Sequence, residues 1–148
     1  MSDVLWLLEH SEDADASPEF AWSFLTEVAN WDDPPARFAL DGPFATGSRG
    51  TTRLPDREPI HWTIGDVRAG RSYTIETELD GATLLCEWRF DPILERRTRL
   101  TQRLGLSGDD TAAQAEGVRA MFAPTLAAGM RRIAGLIART QARRGARP

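Results

Sequence analysis

The 148-residue chain contains no lysine, a single cysteine and only two histidines, and these shortages narrow its chemistry. Cys86 has no second cysteine to pair with, so an intrachain disulfide and a cysteine-built structural zinc site are both excluded. His10 can share a strand face with Glu12 but not with Glu9, and one imidazole with one carboxylate is too few ligands for a metal. His61 falls opposite its apolar neighbours and is expected to be exposed. No metal and no cofactor are expected. No apolar run approaches the roughly 18 residues of a membrane span. The start of the chain has Asp3, no basic segment and only a short apolar patch over residues 4–8, which does not make a signal peptide, so a cytoplasmic protein is expected. Neither GxxxxGK[ST] nor GxGxxG occurs, and the glycines between Asp41 and Gly50 read as turn residues rather than a phosphate cradle.

What is present is an ordinary globular composition, 41% hydrophobic and 27% charged, with a net charge of −4. This length suits one domain over residues 1–148, with a disordered tail after about residue 143. All 18 basic residues are arginine, which carries no functional reading. The charge is unevenly placed: ten acids against one base up to Asp41, and seven arginines with no acid beyond Glu116. Acids near a helix start and arginines near its end match the helix dipole. A nucleic-acid tail would interleave aromatics with the arginines, and none follows Phe122, so no nucleic-acid partner is expected.

Residues 4–12 predict a first strand. Ser17-Pro18 is a helix start, serine capping and proline filling the first helical position. Phe20, Phe24 and Val28 at fourfold spacing carry the predicted helix over 18–29, until Asn30-Trp31-Asp32-Asp33-Pro34-Pro35 ends it. Short strands are predicted at 37–40 and 51–54. From Pro59 the pattern alternates: Ile60, Trp62, Ile64; Tyr73, Ile75, Thr77, Leu79; Leu84, Cys86, Trp88, Phe90; then Thr98, Leu100, Gln102, Leu104, Leu106. These are four consecutive antiparallel strands, apolar on one face and charged on the other. Asp80-Gly81 joins two of them in a hairpin whose turn residues are both expected to accept positive φ.

The last quarter, 109–144, reads as helix, with Leu126, Met130, Ile133 and Ile137 in one apolar stripe. Pro124 should break it near 121–123 and restart it from a first-turn position. A stripe whose large side chains are each worth roughly 1.5–3 kcal/mol when buried needs a partner surface, and the strands are the candidate. If the stripe is core, Ile133→Asp should abolish cooperative folding. The expected architecture is α+β: a curved antiparallel sheet of six to seven strands around a long C-terminal helix, with one or two short helices after strand one. Such a shape often leaves a cavity between sheet and helix. Its candidate lining comes from the inward rows, namely Trp62, Tyr73, Thr77, Cys86, Trp88, Thr98 and Gln102. Met121, Phe122, Thr125 and Met130 would face it from the helix side. Gln102 is read either as a buried amide satisfied by backbone or as a ligand hydrogen-bonding group, and the same choice applies to Tyr73. Met121, Phe122, Met130 and Trp88 are read as core or as pocket wall.

Several stretches carry a resemblance that spans nearly the whole chain. They are Glu9-His10-Ser11 leading to Ala16-Ser17-Pro18-Glu19; Phe24-Leu25-Thr26-Glu27-Val28-Ala29-Asn30-Trp31; Leu40-Asp41-Gly42-Pro43-Phe44 with Gly47-Ser48-Arg49-Gly50; and Phe90-Asp91-Pro92 before Thr98-Arg99-Leu100-Thr101. In these the chain resembles the START and polyketide cyclase superfamily, often called SRPBCC, with its helix-grip fold. Trp22 and Glu27 stand as variants of that pattern. The resemblance implies a hydrophobic cavity, which relatives use to carry lipids, bind hormones, cyclise polyketides or contact chaperones. The superfamily has no universal catalytic motif, so no catalytic residue transfers. The leading expectation is binding of a small hydrophobic or aromatic ligand, lipid or polyketide-like, with a homodimer possible through the sheet edges. The alternatives are a polyketide cyclase or aromatase-like enzyme, and a protein interaction module resembling chaperone activators.

Overall fold

A computed structural model describes residues 3–145. Its seven strands form one antiparallel sheet: β1 (Leu5–Ala14), β2 (Arg37–Asp41), β3 (Arg49–Arg53), β4 (Ile60–Arg68), β5 (Ser72–Leu79), β6 (Ala82–Leu94) and β7 (Arg97–Ser107). The spatial order is β1-β7-β6-β5-β4-β3-β2, so the first strand closes against the last and every other neighbour is consecutive in the chain. Between β1 and β2 lie α1 (Pro18–Leu25) and a single 3₁₀ turn (Val28–Trp31). After β7 come α2 (Thr111–Phe122) and α3 (Leu126–Gly145). This is the helix-grip fold, with α3 lying along β1 and α1. Among the described residues no helix is long and apolar enough to cross a membrane.

Local chemistry explains most boundaries. Ser17 caps α1, its Oγ accepting from Phe20 N at 3.2 Å, and Pro18 follows in the first turn. Gln141 of α3 grips the same cap: its Oε1 accepts from Ser17 N at 2.9 Å and its Nε2 donates to Ser17 Oγ at 3.1 Å. Thr98, fully buried, donates its hydroxyl to Ala16 O at 2.9 Å and so ties β7 to the chain entering α1.

Four expectations need correction. The first helix ends at Leu25 rather than near residue 29, because side chains satisfy its last carbonyls. Thr26 Oγ1 donates to Trp22 O at 2.8 Å, Asn30 Nδ2 to Phe24 O at 2.9 Å, and Trp31 Nε1 to Leu25 O at 2.8 Å. The break before α3 covers 123–125, and Pro124 precedes the helix instead of opening it; the Thr125 carbonyl takes the first helical bond, from Gly129 N at 2.9 Å. In the Asp80-Gly81 turn only Gly81 has positive φ, at 77°, so the mirror-image turn with both residues left-handed is not formed. The expected tail after residue 143 is helical through Gly145, and residues 146–148 lie outside the described residues.

The core is not one continuous mass. A main cluster under α1 and α3 joins Phe24, Leu25, Tyr73, Trp88, Phe90, Leu100, Met130, Ala134 and Ile137. A second, under α2, joins Ala82, Leu106, Ala115 and Val118. A third joins Val28, Trp62 and Ile64 beneath the 3₁₀ turn. Between them the inward side chains Ile75, Thr77, Leu84, Cys86 and Gln102 are only half-buried although they sit in mid-sheet. They face a hollow.

Candidate functional site: a cavity between sheet and helices

The hollow has a volume of about 430 Å³. Its floor is the inner face of the sheet: Trp62 from β4, Tyr73, Ile75 and Thr77 from β5, Leu84, Cys86 and Trp88 from β6, and Gln102 and Leu104 from β7. Phe24, Leu25 and Trp31 wall it on the α1 side, Phe122 closes it from the end of α2, and Ile133 reaches in from α3. Its lining is chiefly aromatic and aliphatic, the ordinary make-up of a small-molecule site.

Aromatic packing sets the shape of one wall. Trp31 is fixed by its bond to Leu25 O and stacks on Tyr73, centroids 6.1 Å apart and planes 11° from parallel. The Trp62 ring lies 5.5 Å from Trp31 and donates Nε1 to Thr52 Oγ1 at 3.0 Å. It can lie there because residue 50, on the neighbouring strand, is glycine: a Cβ at Gly50 would run into the Trp62 ring.

The polar groups inside are few and uncharged. Gln102 Nε2 donates to Cys86 Sγ at 2.9 Å. Burial pushes the Cys86 thiol up to about 11, against the smaller opposing effect of that hydrogen bond, so at neutral pH it is a thiol and not a nucleophilic thiolate. Burial likewise raises the Tyr73 phenol well above its ordinary value, with the neighbouring Cys86 adding to the effect. The Tyr73 hydroxyl has no hydrogen-bond partner among the described residues. Charge occurs only toward Asp33, in the loop after the 3₁₀ turn, and Arg132 of α3, whose side chains pair at 3.5 Å while both remain substantially exposed.

Of the residues expected from the sequence, Trp62, Tyr73, Thr77, Cys86, Trp88, Gln102 and Phe122 border this space. Three do not. Met121 is 68% exposed and turned to solvent, and Thr125 is exposed in the turn before α3. Met130 is buried in the main core cluster with Ala134 and Ile137, because α3 presents that ridge to the sheet and α1 while Ile133 looks into the hollow. Thr98 serves the Ala16 carbonyl and does not line the cavity. Trp31, Thr52 and Arg132 line it without having been expected to. Asn30-Trp31 reads from the sequence as a helix stop and as part of the family resemblance, neither of which marks a cavity wall, and the short strand holding Thr52 gives no clear alternation. His61 is exposed in a shallow groove on the outer face of the sheet. His10 donates to Glu12 across 3.1 Å along β1 itself, and Arg131 of α3 reaches the same carboxylate at 3.6 Å. Among the described residues no three His, Cys, Asp or Glu side chains gather into a metal-binding group.

A curved antiparallel sheet holding a C-terminal helix over an apolar hollow defines a helix-grip protein with an internal cavity. The chain belongs to the polyketide cyclase / dehydrase and lipid transport family, whose model matches residues 6–138. No curated protein matches the sequence. Among solved structures, the chain is similar to a norcoclaurine synthase from Thalictrum flavum at 11% identity and a TM-score of 0.69, covering 95% of this chain and 98% of that one. It is also similar to the Zhui aromatase/cyclase from Streptomyces sp. R1128 at 18% identity and 0.69, covering 94% and 95%. A third is the di-domain aromatase/cyclase StfQ of the steffimycin biosynthetic pathway, at 17% identity and 0.65, where the match covers 94% of this chain and 52% of that one. At these identities the likeness is one of fold.

Proposed function

We propose that this protein binds a small hydrophobic or aromatic molecule, lipid-like or polyketide-like, in the cavity between the sheet and α3. The observation that carries this reading is the unfilled middle of the sheet: Ile75, Thr77, Leu84, Cys86 and Gln102 are left half-buried where a protein without a ligand would be filled by side chains. Membership of a family described by cyclisation and lipid transport supports it. The exposed large apolar residues fall on four elements, Leu5 on β1, Ile60 on β4, the adjacent Ile93 and Leu94 on β6 and Met121 on α2, so no one element presents an extended apolar face for the interaction-module reading.

The family description also supports a second reading, ring closure of a polyketide-like chain in the same cavity. The lining supplies no carboxylate or imidazole in its interior, and its two weak acids, Tyr73 and Cys86, hold their protons more tightly than usual. Catalysis here would rest on folding the chain into position and excluding water rather than on strong acid–base groups.

The test is native mass spectrometry of the purified protein together with thermal shifts against fatty acids, sterols and aromatic polyketides. A copurifying mass, or a melting temperature that climbs with ligand concentration, is expected. Leu84→Trp, which fills the hollow, should abolish both while leaving a cooperative melt. Binding that survives Leu84→Trp would place the ligand elsewhere and sink the reading. A homodimer, if formed, would use the free edges of β1 and β2, and sedimentation velocity reads that directly.

A further inference from the structure

Tyr73 carries a hydroxyl that the fold itself does not use. The residue sits on the inner face of β5 and is 1% exposed. Its ring is held by Trp31 stacked parallel, by Phe44 edge-on at 5.0 Å, and by Trp22 and Phe90, each at 6.0 Å. Rings on several sides fix where the hydroxyl points. No fully enclosed side-chain nitrogen or oxygen among the described residues lacks a partner, yet the Tyr73 hydroxyl has none. The oxygen must therefore touch open space, and the space that Tyr73 borders is the cavity.

Phenylalanine would fill the same ring site without leaving a hydroxyl unpaired, a deficit that ordinarily weakens a fold. Packing thus accounts for the ring and not for the oxygen. The neighbouring polar groups indicate what would answer it. Thr52 Oγ1 accepts from Trp62, which leaves its own O–H to donate. Cys86 Sγ accepts from Gln102, which leaves a weak S–H donor, and the Gln102 carbonyl is the acceptor. Thr77 adds a hydroxyl and Asn30 an amide oxygen, so donors and acceptors both face the space, none of those in the interior is ionised, and the most enclosed donor without a partner is the Tyr73 hydroxyl. A ligand that satisfies such a lining is uncharged, apolar over most of its surface, and presents an acceptor oxygen.

We propose that the Tyr73 hydroxyl is the specificity-determining donor of this cavity, binding the carbonyl oxygen of a neutral, ring-bearing ligand; this rests on the cavity-binding reading above. The rigid aromatic clamp matters to the claim, since a donor that does not move rejects a ligand whose oxygen is absent or misplaced.

The probes are 1-tetralone and tetralin, two-ring molecules that differ at one carbonyl, titrated calorimetrically into the wild type and Tyr73→Phe. The wild type should prefer the ketone, and Tyr73→Phe should lower the ketone-to-hydrocarbon affinity ratio about three- to tenfold, the size of one neutral hydrogen bond. Tetralin affinity should be unchanged, and the variant should melt at the same temperature as the parent or higher. A ratio unaltered in a folded Tyr73→Phe would overturn the donor role while leaving the cavity reading intact. Failure of both molecules to bind the wild type overturns the two together. The infrared carbonyl stretch of 1-tetralone bound to the wild type needs no variant: it should lie below its value in alkane solvent, and an unshifted band rejects the hydrogen bond.

Discussion

Trp31 and Tyr73 stack in nearly parallel planes, ring centroids 6.1 Å apart and 11° from parallel, although one belongs to the 3₁₀ turn after α1 and the other to the start of β5. The indole ties its own nitrogen to the Leu25 carbonyl, so the same side chain helps to end a helix and builds a cavity wall. Trp31→Phe keeps most of the stack and removes the cap; about 1–2 kcal/mol of stability should be lost in urea denaturation. Trp31→Ala removes both and should cost about 3–5 kcal/mol. Equal losses in the two variants would mean that the stack contributes nothing.

Gly50→Ala should be felt at a residue it does not adjoin in sequence. The added methyl meets the Trp62 ring, which must tilt into the hollow or push β3 outward. Strain of this kind costs about 1–3 kcal/mol. Ligand affinity should fall with stability, and the near-ultraviolet circular dichroism of the indoles should change. An unaltered spectrum would show that Trp62 has room the structure does not give it.

Thr98→Val replaces a buried hydroxyl by a methyl of nearly the same size. The Ala16 carbonyl then loses its donor at the junction of β1 and α1. A loss of about 1–3 kcal/mol is expected from equilibrium unfolding, with ligand binding untouched because Thr98 does not line the cavity.

Alkaline pH should weaken the protein through Cys86. The folded thiol keeps its proton to about pH 11, whereas in the unfolded chain it ionises near its ordinary value of 9.0. Below about pH 9 the stability is full. As the pH rises from there the unfolded state loses protons first, and up to about 3 kcal/mol should disappear by about pH 11. Tyr73, shifted in the same direction, adds to the decline. Unfolding curves of Cys86→Ala between pH 8 and 11 should be flatter than those of the parent, and parallel curves would remove Cys86 as the cause.

Ile137 and Ile133, four residues apart on α3, should respond differently to charge. Ile137 is wholly buried in the main cluster, and Ile137→Asp should abolish cooperative folding. Ile133 is half-buried at the cavity, where a carboxylate can keep some water, so Ile133→Asp should be the milder lesion and should chiefly hurt ligand binding. Thermal melts of both variants make the comparison.

That pair also shows what was legible in advance and what was not. Period-two alternation places Tyr73, Cys86, Trp88 and Gln102 on one face of a sheet, because a strand has only two faces and the apolar one must be covered. A helical stripe is less informative. It says that Met130, Ile133 and Ile137 share a side, but not how that side is turned, and a rotation of a fraction of a turn decides which member meets core and which meets empty space. Met121 and Thr125 were misplaced for the same reason, since the orientation of α2 and of the turn after it is set by tertiary packing. Nothing local in the sequence marks Trp31 as a cavity wall, because that role depends on a carbonyl six residues back and a ring on a distant strand.

The division of the inner face into filled ends and an open centre gives the molecule two kinds of interior position. Around Phe90, Leu100 and Ile137 a larger side chain has nowhere to go. Around Ile75, Thr77, Leu84 and Cys86 the same exchange grows into vacant volume and leaves the scaffold standing. Mutational tolerance is therefore greatest around the hollow, so that the outline of this cavity can be re-tailored by altering a handful of mid-strand side chains while the framework stays the same.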